Sequence, residues 1–215
     1  MAPSRRTLAR RLESVDDFSD PSASLEQYLT PSELAAHLCH LAGLQGDLDR
    51  RVVDLGTGTG MLAIAASLSG ADRVAGLDVD PDALRLARRN ERAVRDESGG
   101  DRARGSRAIA WLRGDVTRHP FSITDATVLS NPPFGAQRGN RHADREFLET
   151  AREIGAVSYT IHNEGSQDFV ESFAADEGGT VTHAFRAEFP IAKRFEFHTE
   201  AETTLDAEVF RIEWE

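Results

Sequence analysis

The 215-residue sequence predicts an α/β fold in which a mostly parallel β-sheet, covered by helices on both faces, ends in an antiparallel hairpin. Short apolar runs with strand character alternate with stretches of helical period, as crossovers between parallel strands require. A glycine-rich turn, Asp54-Leu-Gly-Thr-Gly-Thr-Gly60, joins the first of these runs to a helix. The last two runs, Thr180 to Phe189 and Leu205 to Trp214, have no convincing helix between them and therefore read as antiparallel neighbours.

Residues 1–24 mix Arg, Ser, Asp and Pro without a sustained apolar period. They read as a flexible extension ahead of a single domain spanning 25–215. In Thr30-Pro31-Ser32-Glu33, Thr fits the N-cap, Pro the first helical position and Glu the third, which predicts a helix running to about Gly43. Arg51 to Leu55 is a short buried strand, and the glycine turn opens a helix from about Gly60 to Ser69. Arg73 to Asp78 is the second strand, and Pro81 opens a long Arg-rich helix to about Arg95. A Gly/Asp/Arg/Ser loop over 97–106 precedes the third strand, 107–113, and Ala126 to Ser130 is the fourth. A helix over 143–155, a fifth strand from Ala156 to Ile161 and a helix over 166–176 lead into the hairpin. No internal repeat is present.

Acidic residues outnumber basic ones 36 to 25, giving a net charge of −11. Lys193 is the single lysine; arginine supplies the other 24 basic residues. An acid-rich, lysine-poor chain resembles the proteins of salt-accumulating halophiles; a GC-rich genome would explain the arginine but not the acidic excess. At molar salt the screening length is about 3 Å, so the negative charge does not exclude a nucleic-acid partner. No run approaches the ~18 apolar residues of a membrane span. The basic N-terminus lacks an apolar signal region. Cys39 is the lone cysteine, which excludes an internal disulfide, and the chain is expected to be cytoplasmic.

Two motifs carry chemistry. The glycine turn follows a predicted strand and opens a helix, and Asp78 ends the next strand about 20 residues on, where an acceptor for a ribose diol belongs. With Asp54 before the turn and Asp115 after the third strand, acidic residues stand at three successive strand ends. No Lys-Ser/Thr follows the glycines, which disfavours a phosphate-binding loop. The second motif, Asn131-Pro132-Pro133-Phe134, follows the fourth strand directly. A carboxamide accepts and donates hydrogen bonds in one plane. Two prolines remove two backbone donors, and Phe134 presents an aromatic face. Asn131 and the carbonyl of Pro132 can accept both hydrogens of a planar amine while its base stacks on Phe134.

Together these motifs resemble S-adenosylmethionine-dependent N6-adenine methyltransferases, whose signature is Asn/Asp-Pro-Pro-aromatic, and more narrowly the methyltransferase-like protein 5 family. The resemblance spans nearly everything after residue 24, including Leu25-Glu-Gln-Tyr-Leu-Thr30, Gly76-Leu-Asp-Val-Asp-Pro-Asp-Ala-Leu84, Ala143-Asp-Arg-Glu-Phe-Leu148 and Val157-Ser-Tyr-Thr-Ile-His162. It also takes in Ile191-Ala-Lys-Arg-Phe-Glu-Phe-His198 and Val209-Phe-Arg-Ile-Glu-Trp214. It implies a class I, Rossmann-like methyltransferase with a seven-stranded sheet that makes N6-methyladenine in small-subunit rRNA. Gln27 and Thr30 would fold over the cofactor, with Asp78 on its ribose and Asp115 on its adenine. The full candidate cofactor set is Gln27, Thr30, Asp54, Gly56, Gly58, Thr59, Met61, Asp78, Asp115 and Val116; the catalytic set is Asn131, Pro132, Pro133 and Phe134. The resemblance further implies a small zinc-ribbon activator subunit, docked along the edge strand near 107–113. Thr57 and Thr59 stand where the family often has Cys, and the loop before the third strand is longer than usual.

Other residues carry plainer readings. His37, Cys39 and His40 lie on one helix and do not make a closed metal site, so no metal is expected. Arg85, Arg88, Arg89, Arg92 and Arg95 form a solvated helix face, whereas Arg138, Arg141 and Arg145 follow the catalytic turn and are better placed for RNA. Two other functions remain open: glutamine N5-methylation of a release factor, whose enzymes use a related motif, and an inactive methyltransferase-fold binding subunit.

Overall fold

The computed structural model describes residues 3–97, 108–133, 143–192 and 202–215. Among these, seven strands form one sheet in the order β3-β2-β1-β4-β5-β7-β6. The parallel part comprises β1 (Val52–Leu55), β2 (Val74–Asp78), β3 (Ala110–Arg113), β4 (Ala126–Ser130) and β5 (Gly155–Asn163). β6 (Gly179–Ala192) and β7 (Glu202–Trp214) pair antiparallel with each other, and β7 also pairs antiparallel with β5. The α/β expectation, with its mostly parallel sheet and terminal hairpin, holds.

Burial follows position in the sheet. Every residue of the central strands β1 and β4 is buried, because helices cover both faces. Helix α3 (Met61–Leu68) is apolar all round since it lies inside the structure, packed among β1, β2 and two N-terminal helices. In contrast, α4 (Pro81–Glu97) buries Ala83, Leu84, Leu86, Ala87 and Val94 and turns its arginines outward. α5 (Ala143–Ile154) packs on β5, and α6 (Gln167–Asp176) lies over the hairpin. The strand order reverses between β1 and β4, so the carboxyl ends of β1, β2 and β4 frame a crevice at a topological switch point. None of the described helices is long and apolar enough to cross a membrane.

Three expectations need correction. The stretch set aside as a flexible extension contains helix α1 (Arg5–Leu12), capped by the Ser4 hydroxyl, which accepts from Thr7 N–H at 3.3 Å. Leu8, Ala9, Leu12 and Val15 are buried against α2 (Ser32–Leu44) and α3, while Arg5, Arg6 and Arg10 face solvent. The chain stays attached beyond the helix. Asp16 N–H donates to Asn90 Oδ1 at 3.1 Å, and Asn90 Nδ2 donates back to the Asp16 carbonyl at 2.9 Å. The apolar stripe at 8, 9, 12 and 15 has helical period, but four arginines within one short helix mask it.

Helix α2 starts one residue later than its capping signature indicates. Pro31, not Thr30, holds the N-cap position and offers no side-chain cap, which leaves the Thr30 hydroxyl available for another partner.

The third strand begins at Ala110 rather than 107 and lies, as expected, at the sheet edge. Its outer rim is engaged by α4: Ile109 N–H donates to Glu91 Oε1 at 3.1 Å, and Arg88 donates to the Trp111 carbonyl at 3.2 Å. Trp111 Nε1–H also donates to Glu91 Oε2 at 2.8 Å. Between β3 and β4 the chain makes only a 3-10 turn, Val116–Arg118, in place of a crossover helix. Phe121 and Ile123 cover that sheet face instead and border an apolar trough of about 350 Å³ beside β1, β2 and the approach to β3.

Candidate active site

A cleft of about 310 Å³ opens over the carboxyl ends of the central strands. Its floor is the glycine turn. Gly58 has φ +52°, a left-handed conformation that glycine adopts without a Cβ penalty, and its N–H donates to Asp78 Oδ2 at 2.8 Å. Gly60 has φ +85°, and a Cβ there would lie 2.8 Å from the Trp111 ring, so a side chain is excluded twice over.

Asp78 ends β2 facing this cleft. Burial raises its pKa, while bonds from the Asp80 and Gly58 N–H groups pull it down. Asp115 stands across the cleft, exposed; its carboxylate accepts from Thr117 Oγ1 at 2.8 Å and Thr117 N at 2.9 Å, which lower its pKa. Val116, beside it, adds an apolar wall.

Asp54, Thr59 and Met61 lie behind the turn rather than in the cleft. Asp54 is 1% exposed, and a single oxygen, Oδ2, accepts from Thr57 Oγ1 at 2.5 Å and from Ala63 N at 3.0 Å. Its carboxyl therefore ties the turn to the first turn of α3. Burial pushes it up to about 7 against these bonds, and the charge of Asp78 adds to the rise. Thr59 and Met61 are buried, and the Thr59 carbonyl accepts from Asn90 Nδ2 at 2.9 Å. All three belong to the candidate cofactor set, and their burial and bonds put them at the rear of the turn, where they support it.

The N-terminal segment crosses the mouth of the cleft as a strap carrying Phe18, Leu25, Glu26, Gln27 and Tyr28. Gln27 is its clasp. Oε1 accepts from Ser22 N at 2.8 Å, and Nε2 donates to Asp80 Oδ2 at 2.8 Å; the Asp80 N–H in turn bonds Asp78 Oδ1 at 2.9 Å. Phe18, Tyr28, Val79 and Phe147, which are outside the candidate cofactor set, also line the cleft. Two signals were available. Val79 is an apolar residue directly after Asp78, and Tyr28 adjoins Gln27. Leu25 and Val79, both exposed, give the cleft apolar surface suited to a flat ring.

Asn131 and Pro133 line the far end, and Pro132 is buried beside them. Asn131 Nδ2 donates to Thr30 Oγ1 at 2.9 Å, which joins Thr30 at the end of the strap to the Asn-Pro-Pro motif. The other amide atom, Asn131 Oδ1, is buried without a hydrogen-bond partner. Phe134, Arg138 and Arg141 lie outside the described residues, as do Lys193, Arg194, Phe195 and Phe197. Arg145 pairs with Glu149 at 2.9 Å on the exposed side of α5.

No cluster of three or more potential metal ligands occurs among the described residues. His37 stacks on Phe185 at 4.4 Å, and the Cys39 thiol points to the Leu62 carbonyl, both packing roles.

Gly56, Gly58, Asp78, Asp115 and Val116 provide turn, carboxylates and apolar wall on one side of the cleft, and an orphaned amide oxygen stands at the other. A fold with its switch-point crevice furnished in this way defines a class I S-adenosylmethionine-dependent methyltransferase. A candidate RNA methyltransferase of Pyrococcus horikoshii superposes with a TM-score of 0.83 at 34% identity, covering 100% of this chain and 99% of that one. A sequence model of the ribosomal protein L11 methyltransferase family (PrmA) matches residues 38–97, the cofactor half. Along nearly the whole length, an uncharacterized protein of Methanocaldococcus jannaschii is 34% identical (97% of this chain, 94% of the relative). The rRNA N(6)-adenosine-methyltransferase Mettl5 of Drosophila melanogaster is 31% identical, covering 97% of this chain and 95% of its own. The chain belongs to the Mettl5 family of rRNA N6-adenosine-methyltransferases.

Proposed function

We propose that this protein methylates N6 of an adenine in small-subunit rRNA, with Asn131-Pro132-Pro133-Phe134 holding the target base. RNA adenine methylation follows the family; the subunit and the base contacts are the finer reading. The observation that carries it is the buried, unpartnered Asn131 Oδ1. A buried acceptor left unsatisfied costs about 1–3 kcal/mol, which an exocyclic N–H donor relieves. With the Pro132 carbonyl accepting the second hydrogen, the nitrogen lone pair is turned toward the cofactor side of the cleft.

When bound, S-adenosylmethionine supplies an electrophilic methyl group. Asp78 is placed to accept from ribose hydroxyls, Asp115 from an adenine amine, and Val79, Val116 and Leu25 to pack against the rings. The target base must leave its stack to reach Asn131, at a cost of a few kcal/mol. The protein's part is to hold amine and methyl in line, so proximity and orientation supply the rate. Nucleoside mass spectrometry of small-subunit rRNA from a deletion strain tests the reading: one N6-methyladenosine should vanish and return on complementation. Intact rRNA methylation alongside an unmethylated release-factor glutamine would assign the other substrate.

The same reading includes a small zinc-ribbon partner on the β3 edge. β3 is the terminal strand of the sheet, and the apolar trough lies beside it. Arg88 and Glu91 already engage part of its rim, so docking has to displace or build on them. A chain that is monodisperse and fully active when expressed alone would remove the partner from the proposal.

A further inference from the structure

We infer that the exposed side of α1 is a second rRNA contact, outside the catalytic cleft, where Arg5, Arg6 and Arg10 take backbone phosphates away from the target base. The inference rests on the rRNA reading above and adds a surface to it. No residue of α1 lines the cleft; the helix lies as an outer layer over α2 and α3.

The helix holds four arginines in eight residues and no acid. Its apolar side is taken up by packing, with Leu8, Ala9 and Leu12 buried, so it has no face left to enter a bilayer. Arg5, Arg6 and Arg10 are exposed and have no ion pair among the described residues, in a chain with 36 acidic residues. Other surface arginines do find carboxylates: Arg51 on Asp125, Arg95 on Glu91, Arg145 on Glu149 and Arg152 on Glu177. Helix stability does not explain the arrangement. A cation suits the last turn, where Arg10 stands, but Arg5 and Arg6 open the helix at the positive end of its dipole. The positive field reaches α2 as well: burial, then the charges of Arg5 and His40, hold the His37 pKa below its ordinary value. Such a field in a net-negative protein fits a polyanion. Guanidinium forks match phosphate oxygens. Arg6 and Arg10 stand about 6 Å apart along the helix axis, so one strand can meet both. The segment between α1 and the cleft is anchored, since Asp16 is bonded to Asn90 and Phe18 packs on the Gly58 turn. That anchoring holds the arginines at a set distance from the target base.

The test compares the full-length wild type with a triple variant, Arg5→Gln, Arg6→Gln and Arg10→Gln, which keeps helix propensity and the buried side. Each protein, with any subunit that co-purifies, is titrated with unmodified small-subunit rRNA from a deletion strain. The titrations span a potassium chloride series over which circular dichroism shows both proteins folded. The variant should bind roughly 10-fold more weakly, with the slope of log affinity against log salt shallower by about 2, as for three lost phosphate contacts. KM for rRNA should rise, while the single-turnover rate at saturating rRNA and the cofactor affinity stay at wild type. Lysine at the same three positions should restore the slope, because the charge returns. An unchanged slope overturns the inference. So does an equal change in Arg50→Gln, Arg89→Gln and Arg92→Gln combined, which would show net charge alone at work. Loss of a co-purifying acidic protein with rRNA binding intact would make the surface a protein contact and overturn it too. If the triple variant does not fold, Arg6→Gln with Arg10→Gln carries the same comparison, with a slope change of about 1.4. A wild type that does not bind small-subunit rRNA would instead defeat the rRNA reading itself, a separate result.

Discussion

Arg211 and Asp47, 164 positions apart, form a buried two-pronged ion pair, with Nε to Oδ2 at 2.9 Å and Nη2 to Oδ1 at 3.2 Å. Asp47 belongs to the connection between α2 and β1, and Arg211 lies on β7. Tyr159 on β5 donates to the same carboxylate at 2.6 Å, and Thr127 on β4 donates to the Asp47 carbonyl at 2.7 Å. Arg211 Nη1 also bonds Thr182 at 2.7 Å. One arginine thus links the hairpin to the parallel half of the sheet.

Arg211→Met should lower stability by about 3–5 kcal/mol, because it strands the Asp47 carboxylate in a dry site. Urea unfolding measures this; a loss below about 1 kcal/mol would mean the hairpin is held by its apolar contacts alone.

Asn131→Ala should abolish methylation and leave cofactor affinity near wild type, since Asn131 contacts Thr30 and the cleft but no part of the glycine turn. Radiolabel transfer and calorimetry on the same preparation check it, and wild-type turnover would remove Asn131 from the site.

Asp78→Ala should weaken S-adenosylmethionine binding by roughly 1.5–3 kcal/mol, the range for a charge-assisted hydrogen bond. The variant also releases Gly58 N–H, so the turn loosens as the proposed ribose acceptor is lost. Unchanged affinity would place the ribose elsewhere.

Asp54 makes stability depend on pH. Burial lifts its carboxyl from 3.8 to about 7, so between those values the folded chain holds a proton that the unfolded chain has released. Its contribution is complete below the unfolded value and is lost as pH rises through about 7. Asp54→Asn can keep both bonds through its carbonyl oxygen and has no charge to bury. The variant should therefore gain on wild type between about pH 5 and about pH 8 in denaturant unfolding. A constant difference across that window would show that Asp54 is not the titrating group.

The parallel core was legible because its signals are local. Val52 to Leu55 and Ala126 to Ser130 are apolar runs ended by turn residues, and the structure confirms both at their carboxyl ends. What escaped depends on neighbours far along the chain. Thr30 satisfies every local rule for an N-cap, and only its distant partner Asn131 gives the hydroxyl a different task. Asp54 looked like a cofactor acid because its sequence position suits one, yet the backbone turns its side chain inward. Phe18 sits in a polar stretch, and nothing local shows that it covers the Gly58 turn.

Helix α1 has a consequence for how the chain comes together. Its apolar side meets α2 and α3, and the segment after it is tethered to Asn90, which lies far along the chain. Nothing made before the middle of α4 completes that seat, so α1 cannot be fully seated until Asn90 has been made. During synthesis Leu8, Leu12 and Val15 remain a sticky strip waiting for its berth. The arginines on the other side of the strip suit it to that interval, keeping the nascent segment hydrated until the glycine turn and Asn90 have emerged.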